Sequence, residues 1–588
     1  MSIEEYITKH KESAHQDPHM VDVPKELQEQ LERENGKEGE TPSSSSSAAF
    51  SPQFNEHVYI PGPVSMSEDV LKALGVQSQS HLGDEFATTY RYALQNLYKV
   101  VQLDVNSAEY MAGDAGKGET DGHNTPNHTA SSSHTAHDSS ANHHPGNAIS
   151  HAGSLLGHAM DRTPSGRSVP PSPHKMKKTD KESTPVLEKS KQKSYQSFVL
   201  SGSGTLGFDL IATNLMVNKP SITKTQQRAL VLSSGYFSEN MYKCLKQYYP
   251  DTHDTKNYNM VTSNVDILYC PTGTSKFNHH ELKFLLTSNN YQVITVTHVD
   301  TSTGVLVDLY TLLPFIREHA PNAFICVDAV CSLGVEQIDL NVLSQVDFMF
   351  SVSQKGLGCP PGLIVGYMGS RVLEYLANPD INKQIKGFYT NLHKWIPVWE
   401  SYEYYKLQIP GTSAALSEFN TEKPKYFATP PTQLIHALNV SLKEILDFGI
   451  EKRCKAFAEL SNYVKQQVHD LFGLELLTEH ADSKQAAHGL TCVLYKNSMA
   501  LVKYCHDTFK IDLAGPLLRN IKLKNSNIFK IEYFRIGHMS EALLKDFVEN
   551  EHKNLDVFLK ILNKATETVD LNENRKGYSS ISLVNMEQ

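Results

Sequence analysis

Three apolar runs, 293–297, 324–327 and 348–351, recur in the middle of the chain, and amphipathic stretches such as 307–318 lie between them. Runs that are apolar at almost every position, rather than at every second one, belong to strands buried on both faces. The same rhythm starts earlier: 197–200 is a short apolar run, 202–215 a glycine turn entering a helix, 229–232 a strand and 239–249 a helix. Strands alternating with helices predict an α/β domain on a mostly parallel sheet sandwiched by helices, with functional loops at the carboxyl ends of the strands. From 431 the pattern changes. Long helices are predicted over 434–448 and 450–472, a short strand over 491–494 and a final helix over 541–563, the content of a smaller α+β domain.

The amino-terminal part adds to the first domain. Pro61-Gly62-Pro63 imposes a stiff, extended approach, and Ser67 is placed to cap a short helix ending at Leu74. Phe86, Tyr90, Leu94, Leu97 and Val101 then form one apolar face of a helix over 84–103. Residues 1–55 and 105–194 break every pattern. They are rich in Ser, His, Lys, Glu, Gly and Pro and cannot bury enough apolar surface to offset the entropy of ordering. The predicted organisation is a disordered arm (1–55), a large α/β domain (56–104 and 195–430) interrupted by a low-complexity insertion (105–194), a small C-terminal α+β domain (431–567) and a flexible tail (568–588). The histidines between His123 and His158 are irregularly spaced and lack acid or thiol company, so no metal site is expected there. Thr163-Pro164, Ser172-Pro173 and Thr184-Pro185 have the form of proline-directed phosphorylation sites, which makes a kinase or regulatory protein a candidate partner of the insertion.

Composition narrows the function classes. Of 588 residues 39% are hydrophobic and 20% charged, and a formal net charge of −10 argues against a protein that neutralises nucleic-acid backbones. The 8 cysteines are scattered with no CxxC pair, which suits a reducing compartment. No run of about 18 apolar residues occurs and the first residues lack the pattern of a secretory signal, so a soluble intracellular protein with no membrane partner is expected. The terminal Asn585-Met586-Glu587-Gln588 is not a Ser-Lys-Leu peroxisomal address, which leaves the cytoplasm or, through another signal, the peroxisome.

Four loops after predicted strands hold the candidate chemistry. Ser201-Gly202-Ser203-Gly204-Thr205 lets backbone approach an anion at a helix N-terminus, although such turns are commonly just turns. His298-Val299-Asp300-Thr301-Ser302-Thr303-Gly304 places hydroxyls where they would bond a ligand or cap the next helix. Asp328 ends an apolar run, and a buried carboxylate calls for a cationic partner. Lys355 stands between a buried strand and a glycine- and proline-rich loop, where partial desolvation favours the neutral amine that forms Schiff bases, although taken alone a loop lysine is more commonly just a surface charge. An anion cradle, a carboxylate and a lysine together are the set that pyridoxal phosphate requires.

The ordered motifs PGPV, SHLGDEF, SGSGT, SSGYF, HVDTSTGV, VDAVCSLG, SQKGLGCPPG, YFATPP and FRIGH resemble those of the class V pyridoxal-phosphate aminotransferases, in particular the alanine–glyoxylate and serine–pyruvate group. The resemblance covers about 57–104 and 195–565. It implies a fold-type I transferase with a seven-stranded-type sheet, pyridoxal 5'-phosphate as cofactor and a homodimer with shared sites. Lys355 is implied as the aldimine lysine and general base, and Asp328 as the partner of the pyridinium nitrogen. Gly204, Thr205 and Gln354 would meet the phosphate, Ser302 would lie near the 3-hydroxyl, and Phe237 would stack on the ring. Tyr426 and Thr429 match positions that reach the phosphate of the neighbouring subunit. Gly62 and Arg535 match substrate-binding positions, the arginine holding the α-carboxylate through its planar fork.

Three departures stand out: Asp300 where the family more often has Glu, Ser238 where Gly follows the stacking aromatic, and Asp209 where Glu is common. The expected activity is transfer of an amino group from alanine or serine to glyoxylate or pyruvate. Alternatives are another class V reaction, such as desulfuration or aminoethylphosphonate transamination, and a catalytically idle scaffold carrying a regulatory insertion.

Overall fold

The computed structural model describes residues 58–102, 195–217, 228–253, 261–406, 423–478, 483–518, 520–522 and 528–584. The expected arm and the insertion, with its histidines and Ser/Thr-Pro pairs, lie outside the described residues.

A seven-stranded sheet carries the fold: β1 (Tyr195–Ser201), β2 (Arg228–Ser233), β3 (Val265–Tyr269), β4 (Tyr291–Thr297), β5 (Phe324–Asp328), β6 (Phe348–Val352) and β7 (Leu363–Gly369), in the spatial order β1-β7-β6-β5-β4-β2-β3. The pairs from β6 through β5, β4 and β2 to β3 are parallel. β7 runs antiparallel to both its neighbours. The reason is the length of the connection. Only residues 353–362 join β6 to β7, too few for the helical crossover that a parallel return needs. Every residue of β4, β5, β6 and β7 is buried, which accounts for their continuous apolar reading.

Helices cover the sheet. α1 (Glu68–Leu74) begins at Ser67, whose side chain accepts from the Val70 N–H. In α2 (Asp84–Val100) the expected apolar face is buried, and the Tyr90 hydroxyl donates to the Val199 carbonyl of β1 at 3.0 Å. α3 (Thr205–Leu210) follows β1 and runs on as a π turn through Leu215, and α4 (Tyr236–Tyr248) follows β2. Two long helices come later, α5 (Thr432–Phe448) and α6 (Ile450–Phe472). α5 packs on α1 and α2, and its Ile435, Leu438, Leu442 and Ile445 belong to the core of the large sheet.

A second core forms around α6, Leu501, Phe534 and Ile536, beside an antiparallel pair of strands, β8 (Leu490–Leu494) and β9 (Tyr533–Gly537). The single final helix expected over 541–563 is two helices. Glu541–Glu549 stops, residues 551 and 552 take left-handed φ values of 53°, and α7 (Lys553–Val584) starts in a new direction. The buried Asp546 explains the break, because its carboxylate accepts from the Leu555 N–H at 3.1 Å and caps α7. α7 continues through the stretch expected to be a flexible tail: Val569 is buried, and Tyr495 donates to the Asp570 carboxylate at 2.9 Å. Among the described residues no helix is long and apolar enough to cross a membrane.

Candidate active site

The carboxyl ends of β1, β2, β4, β5 and β6 converge, and the candidate residues sit there. Asp328 is the last residue of β5 and is 5% exposed. One of its oxygens accepts from the Val330 N–H at 3.0 Å. The expected cationic partner is not found as an ion pair: among the described residues no Lys, Arg or His pairs with it, and the strand positions registered against it are the uncharged Thr297 and Phe350. Burial therefore pushes its carboxyl up to about 7, and the nearby charge of Lys355 only partly offsets this.

Lys355 opens the turn after β6 and is half-buried. Its ammonium donates to the Pro61 carbonyl, so the amino-terminal Pro-Gly-Pro segment lies directly over it. Gly62, at φ +86°, leaves the room: a Cβ there would stand 2.5 Å from Lys355 Cδ and 2.8 Å from its Nζ. Gln354 is half-buried, and its Oε1 is buried without a hydrogen-bond partner among the described residues. Gly204, at the start of α3, packs against Val330, the second residue beyond Asp328, with 3.2 Å from its would-be Cβ to a Val330 methyl. Thr205 is exposed beside it and shares a hydrogen bond with Ser203 at 2.8 Å.

Asp300 organises the next wall. One oxygen accepts from Ser302 N–H (3.0 Å) and Ser302 O–H (2.6 Å), and the other accepts from the N–H groups of Phe237 (3.1 Å) and Ser238 (3.3 Å). A carboxylate at the first turn of α4 suits the helix dipole. Burial still pushes the Asp300 carboxyl up, against the pull of these donors. Ser302 accepts from Tyr236 N–H at 2.8 Å, so its hydroxyl is already committed on two sides. Ser238 is not a gap in the pattern: its hydroxyl accepts from the Ser234 and Gly235 N–H groups, both at 3.1 Å, and so ties off the turn. Phe237 is half-buried and meets Tyr236 edge-on at 5.5 Å. Asp209 lies on α3 and accepts from Tyr248 O–H at 2.9 Å.

Arg535 of β9 reaches back to this region. Its Nε donates to Gly515 O at 2.9 Å and Nη1 to Thr301 O at 3.1 Å, while Nη2 has no partner among the described residues. Tyr426 and Thr429 stand apart. Both are exposed and bond each other at 3.2 Å, with no hydrogen bond to the residues above.

Two further residues contribute: Tyr533, which the sequence does not single out, and His298, which the sequence places in the polar loop after β4 without a role of its own. Tyr533 donates to Ser302 O at 2.6 Å and accepts from the N–H groups of Leu517 and Leu518 at 3.1 Å, joining β9 to the Asp300 loop. His298 is buried with its Nδ1 unpartnered, and burial holds its imidazole down at about 4. Tyr533 has no distinctive local pattern. The alternation that marks β9 is too short to say which side chain faces the sheet.

These features fit pyridoxal phosphate. A buried carboxyl without an ion-pair partner among the described residues suits the protonated pyridine nitrogen, the glycine turn before α3 suits the phosphate, and Lys355, whose charge acts on that carboxyl, is near enough to serve the same group.

Comparison with known proteins agrees. The family description "Aminotransferase class-V" matches residues 261–396. The chain is 32% identical over 382 residues to alanine–glyoxylate aminotransferase 1 of Saccharomyces cerevisiae, covering 65% of this chain and 87% of that protein. It is 22% identical over 287 residues to L-aspartate–glyoxylate aminotransferase of Paracoccus denitrificans, covering 48% and 59%. Among solved structures, the alanine–glyoxylate aminotransferase of Nostoc sp. superposes with a TM-score of 0.56 at 18% identity, covering 90% of this chain and 97% of that one, and shares the fold. The chain therefore belongs to the class V aminotransferases, as a fold-type I α/β enzyme.

Proposed function

We propose that this enzyme binds pyridoxal 5'-phosphate and moves an amino group from a small amino acid, alanine or serine, to glyoxylate or pyruvate. The observation that carries the reading is Asp328, a buried carboxyl pushed up to about 7 that forms no ion pair among the described residues and feels the charge of Lys355 nearby. The bound cofactor supplies an electron sink for the pair left on the substrate's Cα.

The chain's residues do the rest. Lys355 holds the cofactor through its Nζ and carries the proton from the substrate Cα. Asp328 Oδ keeps the pyridine nitrogen protonated, and that cation in turn stabilises the ionised carboxylate. Gly204, Thr205 and Gln354 hold the phosphate. Phe237 supports the ring on one side, oriented by the Asp300 bond to its N–H. Ser302 orients that same turn through Tyr236 N–H and would lie near the cofactor's 3-hydroxyl. Arg535 receives the α-carboxylate on Nη2 beside Gly62, and because donor and acceptor each present one carboxylate, one arginine serves both half-reactions.

The exposed Tyr426–Thr429 pair supports a homodimer in which these two side chains complete the phosphate site of the neighbouring subunit. Desulfuration is disfavoured by the cysteines. Cys270, Cys359, Cys454, Cys492 and Cys505 are buried with thiols pushed up to about 12, the opposite of an activated nucleophile.

The visible spectrum tests the reading. The cofactor band should bleach with alanine, return with glyoxylate and be missing from Lys355→Ala. A protein that takes up no pyridoxal phosphate would overturn it, and one that takes it up but turns over no small amino acid, with or without residues 106–193, would favour the scaffold.

A further inference from the structure

We propose that Arg453, paired with Glu541, is a positioning residue that sets the turn carrying Lys355 against the turn that follows Asp328. The inference rests on the reading of Lys355 as the cofactor lysine.

Arg453 lies on α6 and is 1% exposed. A charged side chain is almost never buried to that degree without partners, and here every nitrogen of the fork has one. Nη1 pairs with the Glu541 carboxylate. Nε donates to Gly334 O at 2.9 Å, and Nη2 donates to Gly356 O at 3.2 Å. The two carbonyls belong to the working loops. Gly356 directly follows Lys355, and Gly334 closes the turn that begins at Asp328.

The loops press on each other at this point. A Cβ on Gly334 would stand 3.0 Å from Gly356 O, and one on Gly356 would stand 2.5 Å from Leu333 O. Carbonyl oxygens brought together in a dry interior repel unless donors lie between them. The planar guanidinium supplies those donors in a fixed geometry, which a lysine's point charge does not reproduce. Ser441 of α5 adds a further bond, donating to Leu357 O. The backbone on the carboxyl side of Lys355 is thus held from two helices, neither of which contributes a side chain to the cofactor. Glu541 keeps the fork aimed. It sits in the first turn of its helix with Lys545 at 4.0 Å on its other oxygen.

Placement of this kind matters because Lys355 Nζ has to meet both the cofactor and the substrate Cα. A shift of about 1 Å in such a group costs on the order of 100-fold in rate.

The test uses the full chain. Arg453→Lys keeps a charge opposite Glu541 but loses the fork, and Arg453→Met combined with Glu541→Leu removes the pair without leaving one charge buried alone. Thermal unfolding reports folding. Acylation of Lys355 as a function of pH, in cofactor-free protein and read by peptide mass, reports the amine's setting. Kinetics with alanine and glyoxylate separate kcat from KM. The expected result is folded variants whose Lys355 acylation profile is displaced along the pH axis, with kcat lowered about 100-fold and KM within about threefold of the parent. Folded variants with the parent kcat and acylation profile would overturn the proposal. So would failure of both variants to fold, since the pair would then serve stability rather than placement. If the parent protein takes up no pyridoxal phosphate, it is the cofactor reading that fails, and the acylation profile alone still decides whether Arg453 places the amine.

Discussion

The carboxylate of Asp300 accepts a 3.1 Å hydrogen bond from the backbone N–H of Phe237, and so the loop after β4 sets the first turn of the helix after β2. The same carboxylate receives Ser238 N–H and both donors of Ser302. Asp300→Ala leaves these buried donors without an acceptor. A loss of about 3 kcal/mol is expected, since each buried group left unsatisfied costs about 1–3 kcal/mol. Thermal unfolding of cofactor-free protein checks the stability, and spectroscopic titration should show weaker pyridoxal phosphate uptake because Phe237 loses its orientation. An alanine variant with the parent's melting temperature and affinity would show that water replaces the carboxylate.

Asp328 makes stability depend on pH in an unusual sense. Its folded carboxyl is held at about 7, above the ordinary value of 3.8, so the folded state binds the proton more tightly than the unfolded one. The penalty is absent below pH 4, grows as pH rises and is complete above pH 7. Asp328→Asn, which cannot ionise, should therefore match the parent near pH 4 and exceed it above pH 7 by about 4 kcal/mol, at 1.36 kcal/mol for each tenfold in proton affinity. Unfolding curves of both cofactor-free proteins across that range cancel the other titrating groups. A constant difference at all pH values would contradict the assignment, and the same variant should lose transaminase turnover.

Gly62→Ala tests the cover over the lysine. Gly62 has a φ of +86°, which costs a residue with a Cβ, and that Cβ would collide with the Lys355 side chain at 2.5 Å. Lys355 has to move, so turnover should fall about 100-fold, while the fold persists because the segment lies at the chain's approach to the sheet. Rates at saturating alanine and glyoxylate, with circular dichroism as the control, decide the point.

The end of α7 is expected to carry stability. Truncation before Thr566 removes buried Val569 and the partners of Tyr495, whose hydroxyl has its one proton within reach of Asp570 at 2.9 Å and of Thr566 O at 3.1 Å. Burial of one valine contributes about 1.5–3 kcal/mol and the one shared hydrogen bond about 1 kcal/mol, so a loss of about 3 kcal/mol is expected in denaturant unfolding. An unchanged midpoint would show the tail to be dispensable.

What could be read from the sequence was what depends on near neighbours in the chain. The strands at 293–297, 324–327 and 348–351 are visible because burial on both faces demands unbroken apolar runs. Asp328 and Lys355 stand out because Asp328 ends such a run and Lys355 follows one by a few residues, at the carboxyl ends where sheets of this type hold ligands. Tertiary structure decided the rest. The helix break at residues 550–552 follows from where the buried Asp546 meets the Leu555 N–H, and spacing alone shows one continuous helix. Arg453 reads locally as one more charge on an amphipathic helix, and only packing reveals that it faces inward, against the carbonyls of Gly334 and Gly356. Hydrophobic periodicity reports which face of an element is dry. It does not report which polar group is buried with its bonds satisfied, because the partners of Arg453 lie 88 to 119 positions away in the chain and are brought together only by tertiary packing.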